Sequence, residues 1–241
     1  VDGGSATYET AALTIKNFRF NAYTISKDAV INLGGTNPTR YTNHVTIENC
    51  DFRGNDANKN KVAVKSYTGG CKNLTITECT ATGLHSLAQL YTTAGVTVEG
   101  CEITKSKSGI SLTASSGVSI SDVTMDVEKY GIRVDAGSAV TTKISDCDIK
   151  AYVPVIARKA TGNYAFEFNG NNTMTPANPD GKFCVVDGGN NDYEDGDVNL
   201  EDLAAPTGFV MVTLNDANLS YEGVYGGHTH EAKIGDTRYV F

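Results

Sequence analysis

The chain reads as an all-β protein, a parallel β-solenoid, on three observations. A hexad of alternating apolar and polar residues recurs along its first two thirds. A second short strand-like run follows each copy. Gly or Ser closes nearly every unit. The clean copies are Val45-Thr46-Ile47-Glu48-Asn49-Cys50, Leu74 to Cys79, Val96 to Cys101 and Val118 to Val123. Worn copies start at Leu13 and Thr142. Successive starts lie 32, 29, 22, 22 and 24 residues apart, and a period in this range built from strand-like units marks a repeat architecture.

Within each hexad, alternation with period two puts Val45 and Ile47 on one face and Thr46 and Glu48 on the other. β-Branched residues dominate, as a pleated half-buried surface favours. The fifth position holds Asn, Glu, Gly or Asp, mostly types that tolerate a left-handed or turn conformation. The sixth holds Cys, Val or Phe, apolar enough to return to the interior after a bend. The following runs are Val62-Ala63-Val64-Lys65, Ala88-Gln89-Leu90-Tyr91, Ile110-Ser111-Leu112-Thr113 and Ile132-Arg133-Val134-Asp135. A later run, Val155 to Lys159, is ambiguous in register by one residue. The repeat is therefore expected to be strand, bend, strand, turn. One such unit cannot bury its own apolar face, but stacked copies can, with rungs about 4.8 Å apart.

The period loosens after Gly162. We divide the chain at residues 1–183, the solenoid, and 184–241, a divergent C-terminal region of wider rungs or a cap over the last rung, whose edge would otherwise be unpaired.

The hexads and partner runs such as Gly109-Ile110-Ser111-Leu112 and Gly131-Ile132-Arg133-Val134 resemble the right-handed parallel β-helix superfamily, the pectate-lyase-like fold. The resemblance spans roughly residues 1 to 170 and implies right-handed coiling. It implies no single activity, because that superfamily includes lyases, hydrolases, esterases, epimerases and non-catalytic adhesins. The Asn-Thr-Asp, Asp-Asp, Gly-His-Gly and Arg-Ile-Lys motifs of its polygalacturonase-like members do not occur here, nor does the Asp-Pro-His of alginate epimerases.

Composition narrows the function classes. The net charge of −8 argues against a duplex nucleic-acid binder, which needs a basic face. No apolar run approaches the length of a membrane span. With no Trp and 12 Tyr, any sugar-stacking platform must be tyrosine. The chain starts at Val1 without a signal-peptide pattern, and is expected to be a monomer or a segment of a larger secreted or cell-surface protein.

Four of the six cysteines, Cys50, Cys79, Cys101 and Cys147, share one repeat position and are expected to form a buried thiol ladder. Vertical disulfides are the alternative, disfavoured because neighbouring side chains point in parallel. Cys71 and Cys184 fall outside the ladder.

The outward face of the second run is the richest in chemistry. One expected row reads Ala63, Gln89, Ser111, Arg133, and its neighbour Lys65, Tyr91, Thr113, Asp135 and then Lys159. Tyr can stack on a sugar, while Gln, Arg and Asp bond hydroxyls or carboxylates. We therefore take Lys65, Gln89, Tyr91, Arg133, Asp135 and Lys159 as candidate substrate-binding residues for a polysaccharide or surface glycan, contacted without chemistry. The alternative is β-elimination on a uronate polymer, with Lys65, Tyr91 or Arg133 as base or charge neutraliser. A structural or adhesin segment, its charges merely solvated, is the third reading. No cofactor is required. The run Asn191 to Asp202 resembles a calcium loop of dockerins and EF-hands, with Asn191, Asp195, Asp197, Asn199 and Asp202 as oxygen ligands and Gly196 at the sharp turn. Tyr193 departs from that pattern, and a solvated acidic loop is the alternative. His228 and His230 form a weaker metal candidate, lacking a third ligand.

Overall fold

Among the described residues, three parallel sheets, rather than two, wind around a single apolar interior. The structure is a computed structural model, and it describes residues 12–34, 42–55, 59–135, 140–159, 164–189, 200–227 and 231–240. The hexads form the first sheet. Its strands run Leu13–Lys16, Thr42–Glu48, Cys71–Thr77, Ala94–Glu99, Ser116–Ser121, Val140–Ser145, Tyr164–Asn169 and Val210–Asn215, each parallel to the next. The register keeps like positions stacked: Ile47 sits on Ile76, Ile76 on Val98 and Val98 on Ile120. All four are buried.

The bend after each hexad has one cause, repeated. Asn17, Asn49, Glu78, Gly100, Asp122, Asp146 and Gly170 all adopt left-handed backbone, with φ between 48° and 77°. All but Gly170 are the expected turn positions, and Asn49 Nδ2 donates to Asn17 Oδ1 of the rung below at 2.7 Å. The Cys that follows re-enters the core. Cys79 Sγ lies 3.2 Å from the Thr77 carbonyl and 3.6 Å from that of Ile47, so the thiol ladder also satisfies carbonyls at the corner. All six cysteines are buried and unbridged.

The sheet that sequence reasoning missed comes next. Its strands are short, such as Thr80–Thr82 and Thr124–Val127. Thr80–Thr82 commits only one side chain, Ala81, to the core, too little to register as an alternating pattern. The third sheet contains the expected second strands, as Ala29–Leu33, Val62–Ser66, Ser86–Tyr91, Ile110–Thr113, Tyr130–Asp135 and Val153–Arg158, and adds Cys184–Asp187 and Val224–Gly226.

Parallel pairing runs on past residue 183. Cys184–Asp187 pairs with Val153–Arg158, and Val224–Gly226 pairs with Cys184–Asp187. The first sheet then ends in two antiparallel strands, Thr237–Val240 and Glu231–Ile234, which cover the edge of the last parallel strand. A smaller apolar cluster lies outside the solenoid wall, where Leu200 and Leu203 pack with Tyr130, Val153, Ile156 and Val185.

Candidate functional site

The outward rows of the third sheet follow from its register. Lys65 stands beside Gln89, Gln89 beside Ser111, and Ser111 beside Arg133. Tyr91 stands beside Thr113, Thr113 beside Asp135, and Asp135 beside Arg158. Two expected placements change. Lys65 belongs to the row of Gln89, not that of Tyr91, because a longer loop ahead of Val62–Ser66 shifts that strand by two residues. A shift of two keeps each side chain on its face but changes its neighbour. Ala63 is fully buried and is not in that row. The second change is at the far end, where Arg158 and not Lys159 continues the row. A one-residue slip would turn Val155 and Ala157 out of the core. Lys159 instead leaves the strand with φ at 55°.

At the N-terminal end of this face, five side chains gather from three rungs. Lys65 Nζ donates to Asp28 Oδ2 at 2.6 Å. The Tyr67 hydroxyl lies 3.4 Å from Asp28 Oδ1, and the Lys65 ammonium is 5.3 Å from the centre of the Tyr67 ring. Gln89 and Tyr91 stand on the next strand, both half-buried. The Lys65 hydrogen bond holds the Asp28 carboxyl below its usual range. For Lys65, desolvation is the largest effect and opposes the charge, but the hydrogen bond and charge of Asp28 outweigh it and raise the ammonium pKa. A tight turn fixes Tyr67. The Gly70 amide donates to the Tyr67 carbonyl at 2.6 Å. Gly70 is left-handed, and a Cβ there would lie 2.1 Å from the Thr92 carbonyl oxygen. Below Tyr91, buried Ser66 accepts from its amide at 2.8 Å. Asp28 and Tyr67 escaped sequence reasoning because both lie in turns, outside the strand pattern.

The C-terminal end of the same face is closed, which corrects the expectation for Arg133 and Asp135. Arg133 Nε and Nη2 donate to the Asp135 carboxylate at 3.0 and 2.6 Å, and Nη1 donates to the Tyr130 hydroxyl at 2.7 Å. Arg158 Nε and Nη2 donate to the same carboxylate, both at 3.0 Å. Arg133, Asp135 and Arg158 are only 8%, 5% and 6% exposed. They belong to a covered ionic cluster rather than an open stripe. The segment around Leu200 and Leu203 packs on the wall beside this cluster, against Tyr130, Ile156 and Val185. Its seat requires two glycines: a Cβ on Gly188 would lie 1.9 Å from the Ala205 carbonyl oxygen, and one on Gly227 would lie 2.6 Å from that of Leu203. Buried Asp187 ties the segment down by accepting from the Ala204 amide at 3.1 Å.

The other candidates contribute less. Asn191, Asp195, Asp197 and Asn199 lie outside the described residues, as do His228 and His230; Asp202 is exposed at the end of the short 3-10 turn Leu200–Asp202. Among the described residues, no three His, Cys, Asp or Glu side chains stand close enough to hold a metal ion. Burial pushes the Cys71 and Cys184 thiols up to about 12 and that of Cys147 to about 11, so these are poor nucleophiles at neutral pH. A groove of about 620 Å3 lies on the outer face of the second sheet, among Asp51, Arg53, Glu78, Thr80 and Glu102. Among the described residues no aromatic side chain lines it, and Arg19 and Arg53 both already hold Asp51 at 2.8 Å. No helix among the described residues is long and apolar enough to cross a membrane.

The model of the family described as "Right handed beta helix region" matches residues 5–178. The chain belongs to that family. The match fixes the handedness that spacing alone left open, and the β-helix carries its cluster of Lys65, Gln89 and Tyr91 inside the matched span. The chain finds no match among curated proteins or among solved structures.

Proposed function

We propose that this β-helix is a non-catalytic glycan-binding module, acting at a cell surface or outside the cell. The glycan lies across the rungs at the N-terminal end of the third sheet's outer face. The observation that carries this reading is the gathering of Asp28, Lys65, Tyr67, Gln89 and Tyr91 on one accessible patch. Two tyrosine rings offer apolar faces to the sugar, with polar tips that stay hydrated. Lys65, Asp28 and Gln89 supply donors and acceptors for hydroxyls. Rungs about 4.8 Å apart present equivalent positions at a spacing close to the rise of one sugar residue, which suits an extended chain.

Binding is favoured over β-elimination on chemical grounds. A general base must give up its proton near the working pH, whereas Lys65 is held in its charged form by Asp28. A charge neutraliser must be free to meet a carboxylate, whereas Arg133 is spent on Asp135 and Tyr130. The test is a glycan array with wild type, Tyr67→Ala and Tyr91→Ala. Removing either ring is expected to weaken the best ligand by about 1 kcal/mol, or roughly fivefold. Equal signals from all three proteins, or no ligand for wild type, would overturn the reading in favour of a structural or adhesin segment.

A further inference from the structure

We infer that the glycan taken by this face is electrically neutral, rich in hydroxyls and free of carboxylate or sulfate groups. The inference rests on the glycan-binding reading above and narrows it. The outward rows of the third sheet carry three described cations, Lys65, Arg133 and Arg158, and each already has an anionic partner. Lys65 is paired with Asp28 at 2.6 Å. Arg133 and Arg158 grip the two oxygens of Asp135 between them, and Asp187 is next in register to Arg158. Each of the three cations therefore has its charge engaged within the protein, two of them on the one carboxylate of Asp135, and among the described residues of these rows none is left to spend on an acidic sugar.

A uronate carboxylate arriving at Lys65 would have to displace Asp28 or lie beside it. Displacement exchanges one ion pair for another while stranding the Asp28 carboxylate next to the newcomer. Lying beside it places two like charges within a few ångströms, a repulsion that solvent screening at the half-exposed Asp28 weakens but does not remove. The net charge of −8 adds a long-range repulsion of polyanions that salt only partly screens. A hydroxyl pays neither cost. It can accept from Lys65 and donate to Asp28 at once, so the intact pair becomes a matched donor and acceptor for neighbouring hydroxyls. Lys61, Lys107 and Lys129 precede their strands at the adjoining corner, outside the two rows, and Lys61 Nζ already donates to the Lys27 carbonyl at 2.8 Å.

The experiment compares a panel of neutral polymers (glucan, mannan, xylan) with polygalacturonate and a sulfated glycan, by affinity electrophoresis or calorimetry, on wild type and Asp28→Asn. Wild type is expected to bind a neutral polymer with an affinity unchanged between about 0.02 and 0.5 M salt, a range over which charge interactions are progressively screened, and to bind the acidic polymers at least tenfold more weakly. Asp28→Asn frees the ammonium of Lys65. It is expected to gain roughly tenfold for polygalacturonate at low salt, a gain that high salt removes. Preferential, salt-sensitive binding of an acidic polymer by wild type would overturn this inference while leaving the glycan-binding reading in place. Binding of no polymer at all would remove both.

Discussion

At strands Val62–Ser66, Ser86–Tyr91 and Ile110–Thr113, the outward residues Lys65, Gln89, Tyr91 and Thr113 are only half-buried, and Ser111, next to Arg133, is where the row becomes buried. At strands Tyr130–Asp135, Val153–Arg158 and Cys184–Asp187, the outward residues are Arg133, Asp135, Ile156, Arg158, Val185 and Asp187, and all are buried. The backbone is the same parallel ladder in both regions, so the side chains decide the outcome. Ile156 and Val185 put apolar area on the outer wall, and an apolar patch in a soluble protein is either covered or used for contact. Here Leu200 and Leu203 cover it. The charges beside that patch are buried with it and must satisfy one another, which Asp135 does for both arginines. At the open end the Asp28–Lys65 pair keeps its solvent contact, with the Asp28 side chain 51% exposed. A polar row on a solenoid wall is thus available only where its neighbours along the sheet are polar too.

The sharpest way to break this comparison is to remove one carboxylate at each end. Asp135→Ala strands two buried guanidinium groups, and loss of one partner from a buried ionic cluster costs about 3–5 kcal/mol. The corresponding change at the open end, Asp28→Ala, removes a partner from a pair whose carboxylate is 51% exposed, and is expected to cost under ~1 kcal/mol. Urea denaturation of both variants checks this. Similar midpoints for the two would erase the distinction between an ionic cluster that holds the fold and a pair that is free to serve a ligand.

A smaller effect is expected from the seat of the covering segment. Gly188→Ala places a Cβ against the Ala205 carbonyl oxygen, and overpacking of this kind costs about 1–3 kcal/mol. The cost should appear locally, because the segment can lift while the ladder beneath it stays paired. Hydrogen exchange at the Ala204 amide, which donates to Asp187, is expected to accelerate strongly, with amides in Ser86–Tyr91 unchanged. Uniform acceleration would mean that the cover and the solenoid open as one unit.

How far the sequence could be read follows the same division. The first sheet was legible because each clean hexad carries two inward apolar residues and a turn residue at a fixed offset; even the left-handed positions from Asn49 to Asp146 could be named. The second sheet was not, since a strand with a single inward residue such as Ala81 has no period to detect. At the site, Lys65, Gln89 and Tyr91 were legible as outward residues of a strand. Asp28 and Tyr67 were not, because a turn residue's direction is set by loop geometry rather than by alternation. Arg133 and Asp135 were placed on the correct face, but their burial is tertiary: Ile156, beside Arg133 in register, and Tyr130, which Arg133 bonds, pack with Leu200 and Leu203, some 65 to 75 residues later in the chain. Nothing in a local pattern reports a cover that arrives from so far away.

The smallest effect expected is on pH dependence, and it tests the open end alone. Asp28 has its pKa lowered by Lys65, so what the pair contributes through Asp28 is present above the ordinary carboxyl value of about 3.9 and is lost as pH falls through the lowered folded value. Lys65 has its pKa raised, so its share is present below the ordinary value of about 10.4 and is lost only as pH rises through the higher folded one. Between roughly pH 4 and pH 10 both groups are charged and the pair is intact. Solvent screening at a half-exposed carboxylate limits the stability at stake to a few tenths of a kcal/mol, too little to follow by melting. Ligand affinity is the better reading, because a hydroxyl that donates to Asp28 meets a weaker, uncharged acceptor when the carboxyl is protonated. Titration of the best neutral glycan is expected to give a constant affinity from about pH 5 to pH 9 and a fall below about pH 4. A midpoint near neutrality would show that some other group governs binding and would separate the Asp28–Lys65 pair from the ligand.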